Sequence, residues 1–557
     1  MQEKLWHQHY DYNVPTSMRF PRIPAQNLLQ LAANFYPDKA AINFFGTEMS
    51  FWDLRKNAIR LANALASLGI KKGDRVGIHL PNLPQYPVMY YAVLHLGAIV
   101  VNFNPLYTPD ELKSLVKQTG LKAVLTMDAF IPNIKEVTKA VDIPILIATS
   151  LFDYKDGMDS STSESLKLES GWHHFSQLIE NCTNDALPKV DILPEDPAMI
   201  QFTGGTTGIP KGATLTHGNV IAAAFTAVTW GAPTADLTPR EKRNVMLALP
   251  LFHVYANIVG MNWAMLNCAT MILVPRFEID SFMDLLANFD SITFFPAVPT
   301  MINAIVHHKK AKELNLAKKI NLLNSGGGPI PVELIDEVKN LGITYSEGFG
   351  MSETTSLGLS NPNLGLKKNG SIGIPIIGMD VKLVDTATGE KEVPIGEPGE
   401  LLLKGPLVMK GYWENPEKTA EELKEGWLFS GDIAKMDEDG YFYIVDRKKD
   451  MVIAGGYNIY PRDIDEVLYQ HPKILDAVSV GIHDAYRGET IKAYIVLKKD
   501  ETATEKEIIS FCKEKLAAYK VPKLVEFRNE LPKSAVGKIL RKVLREEEAQ
   551  KKQKEKK

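Results

Sequence analysis

Residues 202–212 read Phe-Thr-Gly-Gly-Thr-Thr-Gly-Ile-Pro-Lys-Gly. Gly204, Gly205, Gly208 and Gly212 allow the tight backbone that turns several N–H groups toward one anion. Thr203, Thr206 and Thr207 add hydroxyl donors, and Lys211 adds a positive charge. The chemistry that this composition serves is a grip on a run of phosphates. It is not the P-loop form, in which Gly-Lys is followed by Ser or Thr. Here Pro210 precedes Lys211 and Gly212 follows it.

Four further segments carry chemistry. In Asn324-Ser325-Gly326-Gly327-Gly328-Pro329, three successive glycines let a flat ligand lie against bare backbone. Tyr345-Ser346-Glu347-Gly348-Phe349-Gly350-Met351-Ser352-Glu353 offers an aromatic ring, a hydroxyl and carboxylates. Glu353 is a hard oxygen ligand of the kind that Mg²⁺ takes on triphosphate oxygens. Trp427-Leu428-Phe429-Ser430-Gly431-Asp432, with Arg447 further on, places a carboxylate at an expected strand end, a common way to hold a ribose diol. Near the C-terminus, Leu531-Pro532-Lys533-Ser534-Ala535-Val536-Gly537-Lys538-Ile539 puts Lys538 after a glycine, where a point charge can reach a distant site.

The elements that must position these segments alternate between amphipathic helices and short apolar strands. The spacing predicts a helix over 53–69 and strands over 75–80, 123–126 and 143–147. Alternation of this kind argues for an α/β fold with parallel sheets. The apolar tract Val88–Val101 is too short, and too interrupted by His95 and Gly97, to span a membrane, so it reads as a buried helix and strand. Residues 153–170 are polar and Ser-rich, a surface loop. From about 375 to 445 the pattern changes to strands with Gly and Pro turns, a β subdomain. After the charged run Asp446–Asp450 comes a last segment with helices over 462–470 and 504–519 and strands over 477–482 and 491–498.

The 557 residues are enough for about three to four domain-sized units. A net charge of −4 gives no reason to expect a nucleic-acid partner. Cys182, Cys268 and Cys512 are scattered, which points to a reducing compartment, the cytoplasm, and to no structural metal. The N-terminus has no apolar signal core. The lysine-rich end reads as a solvated helix terminus, with at most a weak peripheral attraction to anionic lipid. Oligomeric state is not written in the sequence.

In order and spacing, these motifs resemble the adenylate-forming superfamily over about residues 25–545. The wording of Gly426–Ile433, Tyr443–Met451 and Gly455-Gly456-Tyr457-Asn458-Ile459-Tyr460-Pro461 is most similar to its fatty-acyl-CoA synthetase branch. The resemblance implies a large N-terminal domain (1–447) of parallel α/β subdomains plus the β subdomain, followed by a small mobile α+β domain (448–557). It also implies the substrates ATP and coenzyme A, the ion Mg²⁺, and two half-reactions: a carboxylate attacks the α-phosphate to give acyl-AMP and pyrophosphate, and a thiol then attacks the acyl-AMP.

Residue by residue, the resemblance assigns Thr203, Gly204, Gly205, Thr206, Thr207, Gly208 and Lys211 to the β- and γ-phosphates. Gly327, Gly328 and Pro329 line one side of the adenine, and Glu347, Gly348, Phe349 and Gly350 the other. Ser352 contacts the α-phosphate, Glu353 holds Mg²⁺, and Asp432 and Arg447 hold the ribose. Lys538 bridges the α-phosphate and the carboxylate, with His253 beside the acyl carboxylate. Lys449 is the hinge about which the small domain turns, bringing Gly455 and Gly456 to the pantetheine channel. Asn458 stands where acetate-type enzymes carry arginine, which weakens a short-chain acetate reading, and the branch-specific wording implies a medium- to long-chain fatty acid. An aryl or branched acid is the alternative, and a non-catalytic nucleotide- or lipid-binding protein is the third reading. The acyl pocket is expected around Phe225–Trp230, His253–Asn257 and Pro296–Met301.

Overall fold

The computed structural model describes residues 4–154, 166–203, 210–454, 457–484, 488–534 and 539–555. Most of the polar 153–170 segment lies outside these residues. The fold is α/β, with a large N-terminal domain and a small C-terminal one. At its centre is an eight-stranded sheet. Its order is Gly411–Tyr412, Lys211–Thr216, Pro197–Thr203, Ile99–Asn102, Arg75–His79, Ala123–Met127, Ile145–Thr149, Trp172–His174. The last six run parallel, as the helix–strand alternation requires. Lys211–Thr216 and Gly411–Tyr412 add on antiparallel.

The helix expected over 53–69 runs Phe51–Ser67 instead. Its start is set by Ser50, whose hydroxyl accepts the amide hydrogen of Asp53 at 3.0 Å, a standard N-cap. The apolar tract after it becomes helix Gln85–His95 and strand Ile99–Asn102, and every residue of that helix is buried. Among the described residues no helix is long and apolar enough to cross a membrane.

A second sheet holds the parallel strands Phe295–Ala297, Leu323–Ser325 and Tyr345–Phe349, extended antiparallel by Leu359–Ser360 and Ile374–Pro375. The glycine-rich segment 326–329 and the segment 350–356 leave the ends of its strands. The β subdomain is an antiparallel sheet of Asp380–Val384, Gly399–Lys404, Trp427–Met436 and Leu423–Lys424, with Phe442–Arg447 pairing Trp427–Met436.

The C-terminal sheet is built on Ile474–Asp484 and Gly488–Leu497, with Val452–Ala454, Tyr457–Ile459 and Leu524–Phe527 alongside. It has its own apolar core, including Ile464, Leu468, Ile491 and Ile508. One helix there is shorter than its pattern suggests: Glu505–Lys515, not 504–519. The chain straightens at Leu516 (φ −118°, ψ 148°), and Leu516 and Tyr519 then pack on that core.

Candidate active site

One cavity of about 1650 Å³ lies where the two parallel sheets, the β subdomain and the C-terminal domain meet. Pockets for a single small ligand measure roughly 300–1,000 Å³, so this one has room for more than one. Thr203, Lys211, Gly327, Gly328, Pro329, Glu347, Gly348, Phe349, Gly350, Ser352, Glu353, Asp432, Arg447, Lys449 and His253 all line it. Gly204, Gly205, Thr206, Thr207, Gly208, Gly455, Gly456 and Lys538 lie outside the described residues.

At one end, Thr203 and Lys211 face each other as partners on adjacent antiparallel strands, so they fix the base of the glycine/threonine segment. Lys211 Nζ lies 2.6 Å from Glu422 Oε1 and 4.6 Å from the centre of the Tyr412 ring. The Tyr412 hydroxyl lies 2.8 Å from Glu353 Oε1 and also bonds Glu422 Oε2. The single phenolic hydrogen donates to one of the two carboxyl groups at a time. Burial pushes the Glu353 carboxyl above its usual range. Burial also acts on Glu422, but the hydrogen bonds from Lys211 and Tyr412 and the charges of Lys211 and Lys418 together outweigh it and hold that group low.

Glu353 sits in the single turn Ser352–Thr354, followed by Thr355 (φ 49°) and Ser356 (φ 81°). Left-handed backbone at two non-glycine residues is strained and persists only where neighbours over-determine it. Here the Thr355 hydroxyl donates to the carbonyl of Leu407 at 2.7 Å, and Met409 N–H donates to the carbonyl of Glu353 at 2.8 Å. The turn is thus fastened to the β subdomain. Gly350 is required beside it, since a Cβ there would stand 1.7 Å from the carbonyl oxygen of Ser356.

Among the described residues no group of three His, Cys, Asp or Glu side chains could hold a metal by itself. Glu353, a buried carboxyl group joined through Tyr412 to Glu422 and lining the cavity with Thr203 and Lys211, fits Mg²⁺, which keeps waters and substrate oxygens in its shell.

The glycine-rich edge is flat for a stated reason. The Tyr255 ring lies beneath Gly326, so a Cβ would meet it at 3.1 Å, and the Tyr255 hydroxyl donates to Asn324 Oδ1 at 2.6 Å. Gly327 has φ +78°, whereas a Cβ at Gly328 would meet nothing within 4 Å. Opposite, burial raises the Glu347 carboxyl to about 8, with Arg462 opposing the rise.

Asp432 differs from expectation in being mid-strand, within Trp427–Met436, rather than at a strand end. The strand continues because it pairs on both sides, with Gly399–Lys404 and Phe442–Arg447. Arg447 is its direct partner, with Nε 3.1 Å from Asp432 Oδ1. Burial, and then the neighbouring Arg447, lower Lys449 to about 8.

His253 follows Pro250-Leu251-Phe252 and accepts the Tyr255 amide hydrogen at Nδ1 (3.2 Å), which places the proton of the neutral ring on Nε2. Behind it, Gln201 donates to the carbonyl of Phe252 at 3.0 Å. A π-helix, Tyr255–Asn262, carries the chain on; such helices are rare and cluster at functional sites.

The same cavity is also lined by Trp230, Gly231 and Ala235 of helix His217–Ala235, by Val259 of that π-helix, and by Trp263 and Phe294. The expected pocket wall is corrected here. Pro296–Met301 does not contribute, because it is taken up by the paired strand Phe295–Ala297 and the start of helix Pro299–Val306. Thr293, Phe294 and Leu322 line that side instead. Asn257 is buried against the Tyr86 hydroxyl (3.2 Å) and is also not part of the wall.

Sequence reasoning missed Tyr412 and Glu422, which join Lys211 to Glu353. The only local signal is an aromatic following Gly411, and nothing in it shows pairing with a strand about 200 residues earlier.

The model of the AMP-binding enzyme family matches residues 29–413, and that of the AMP-binding enzyme C-terminal domain matches residues 463–538. A long-chain-fatty-acid–CoA ligase of Bacillus subtilis (strain 168) is 40% identical over 562 aligned residues, covering 98% of this chain and 99% of its own. One from Escherichia coli O6:H1 is 37% identical, covering 98% of each. Among solved structures, ATP-bound MatB from Rhodopseudomonas palustris superposes with a TM-score of 0.83 at 29% identity, covering 94% of this chain and 99% of its own. Given matches that span both domains, the chain belongs to the AMP-binding enzyme family.

Proposed function

We propose that this chain is an ATP-dependent ligase that joins a medium- to long-chain fatty acid to coenzyme A through an acyl-AMP intermediate. The observation that carries this reading is the lining of one cavity, which combines the charged Asp432, Arg447 and Glu353 with the apolar Trp230, Trp263 and Phe294. A nucleotide suits the first and an aliphatic chain the second. The names of the full-length relatives agree with both.

In this reading a fatty-acid carboxylate oxygen bonds to the α-phosphorus of ATP as the bond to the β-phosphate breaks and pyrophosphate leaves. The thiol of coenzyme A, losing its proton, then attacks the acyl carbonyl and AMP leaves. The segment 203–211 holds the β- and γ-phosphates. Gly327–Pro329 and Glu347–Gly350 enclose the adenine, and Asp432 accepts from the ribose hydroxyls with Arg447 fixing its carboxylate. Ser352 and Lys538 contact the α-phosphate, and His253 donates to the acyl carboxylate. Such fixed donors act where charge develops in the transition state. Mg²⁺ held by Glu353 would neutralise phosphate charge. Residues 1–447 and 448–557 act as two bodies that turn about Lys449 between the half-reactions, with Gly455 and Gly456 admitting the pantetheine arm. The cytoplasm is the proposed location.

The test is pyrophosphate release over a panel of straight-chain acids from C2 to C18 together with benzoates. The expected result is a maximum between C8 and C18. A maximum on the aromatic acids would overturn the fatty-acid assignment.

A further inference from the structure

Helix Arg541–Glu555 begins with Arg541 and carries Arg545 one turn on. Residues four apart share a helix face, and both guanidinium groups meet the carboxylates that flank Lys449. Arg545 pairs with Asp450, just after it. Arg541 Nη1 lies 3.7 Å from Asp446, three residues before Lys449, and 3.9 Å from Asp450, while its Nη2 pairs with Asp465. Arg541 Nε also donates to the carbonyl of Ser479 at 3.2 Å.

Most of these contacts lie within the C-terminal domain and hold it together. Asp446 is the exception. It sits on strand Phe442–Arg447, which pairs with Trp427–Met436 and so belongs to the β subdomain. Its Oδ2 accepts the amide hydrogen of Arg462 at 2.9 Å, a second bond from the C-terminal domain. The Asp446 side chain is 1% exposed, and a carboxylate so buried needs such partners. Asp446 also adjoins Arg447, the partner of Asp432. In this pose Ser534 and Ile539, on either side of 535–538 in sequence, line the nucleotide cavity.

We infer that Asp446 and Arg541 form a strut across the domain junction that holds the C-terminal domain in the pose serving acyl-AMP formation, with Arg541 a positioning residue for that half-reaction only. The inference rests on the two-step reading proposed above. Rotation about Lys449 carries Arg541 and the Arg462 amide away from Asp446, so the strut exists in one pose and not in the other. Asp446 and Arg541 also line the cavity, and the strut favours the first half-reaction by holding the domain pose.

The experiment compares full-length wild type, Asp446→Asn, Arg541→Gln and Arg541→Lys in two assays. One is ATP–pyrophosphate exchange with fatty acid. The other is acyl-CoA formation from synthetic acyl-AMP and coenzyme A. The expected result is a loss of about tenfold or more in exchange for Asp446→Asn and Arg541→Gln, partial recovery in Arg541→Lys, and thioester formation within about twofold of wild type. Equal losses in both assays, or no loss in exchange, would overturn the strut. Failure of the wild type in either assay would instead count against the two-step reading. Asp446→Asn keeps the shape and one acceptor for the Arg462 amide, so it tests the cross-domain contact even where Arg541→Gln fails to fold.

Discussion

Arg447 Nε lies 3.1 Å from Asp432 Oδ1, and the two residues are direct partners on adjacent antiparallel strands. The strand register, not a flexible loop, thus sets the position of the Asp432 carboxylate at the cavity wall. Asp432→Asn keeps the shape and removes the charge. A hydrogen bond to a charged group contributes about 1.5–3 kcal/mol, so KM for ATP should rise about tenfold or more. Steady-state kinetics at varied ATP checks this, and an unchanged KM would refute the ribose role.

Tyr412 links Glu353 to Glu422, and Glu422 to Lys211. Glu353→Gln keeps one carbonyl oxygen but removes the carboxylate charge, and should lower turnover by about a hundredfold, the scale of losing one charge-stabilising group. Its Mg²⁺ titration should shift to higher concentration. Tyr412→Phe should shift the same titration less, because it leaves the carboxylate in place.

Two glycines should respond in opposite ways. Gly350→Ala puts a Cβ 1.7 Å from the carbonyl oxygen of Ser356 and should lower the thermal midpoint sharply. Gly328→Ala meets nothing within 4 Å, so the midpoint should hold while ATP binding weakens as the methyl group occupies the adenine face. Scanning calorimetry with nucleotide titration separates the two effects.

Burial raises Glu347 to about 8 from an ordinary value of 4.5. Between these values the folded protein keeps a proton that the unfolded chain releases, so this group makes stability fall as pH rises from about 4.5 to about 8. Glu347→Gln should flatten that slope. Thermal midpoints at pH 6 and pH 8 should converge in the variant relative to wild type, and an unaltered difference would contradict the assignment.

Ala235 lies at the end of helix His217–Ala235 and lines the cavity with Trp230 and Trp263. Ala235→Phe should fill part of that apolar wall, reducing activity on C16 acid about tenfold while sparing C8 acid. An unchanged chain-length profile would place the fatty chain elsewhere.

The α/β class, the β subdomain and the separate C-terminal sheet were legible because period-2 and period-3.6 patterns are local. Cavity-lining residues such as Gly327, Gly328 and Glu353 were legible because glycine-rich turns and their following carboxylates are contiguous in sequence. Tyr412, Glu422 and Arg541 were not, since each acts through a partner on a distant element: Glu353, Lys211 and Asp446. The pocket wall failed for a similar reason. Thr293, Phe294 and Leu322 displace Pro296–Met301 because strand register decides which residues of a run reach the cavity. Asp432 was found by type but misplaced at a strand end, because pairing with two neighbouring strands is a tertiary fact.

The central claim is tested most directly by incubating the protein with α-³²P-labelled ATP, Mg²⁺ and a C16 fatty acid, first without and then with coenzyme A. Labelled acyl-AMP should accumulate in the first stage and convert to labelled AMP and acyl-CoA in the second. Release of labelled ADP, or AMP formation independent of the fatty acid, would contradict the account.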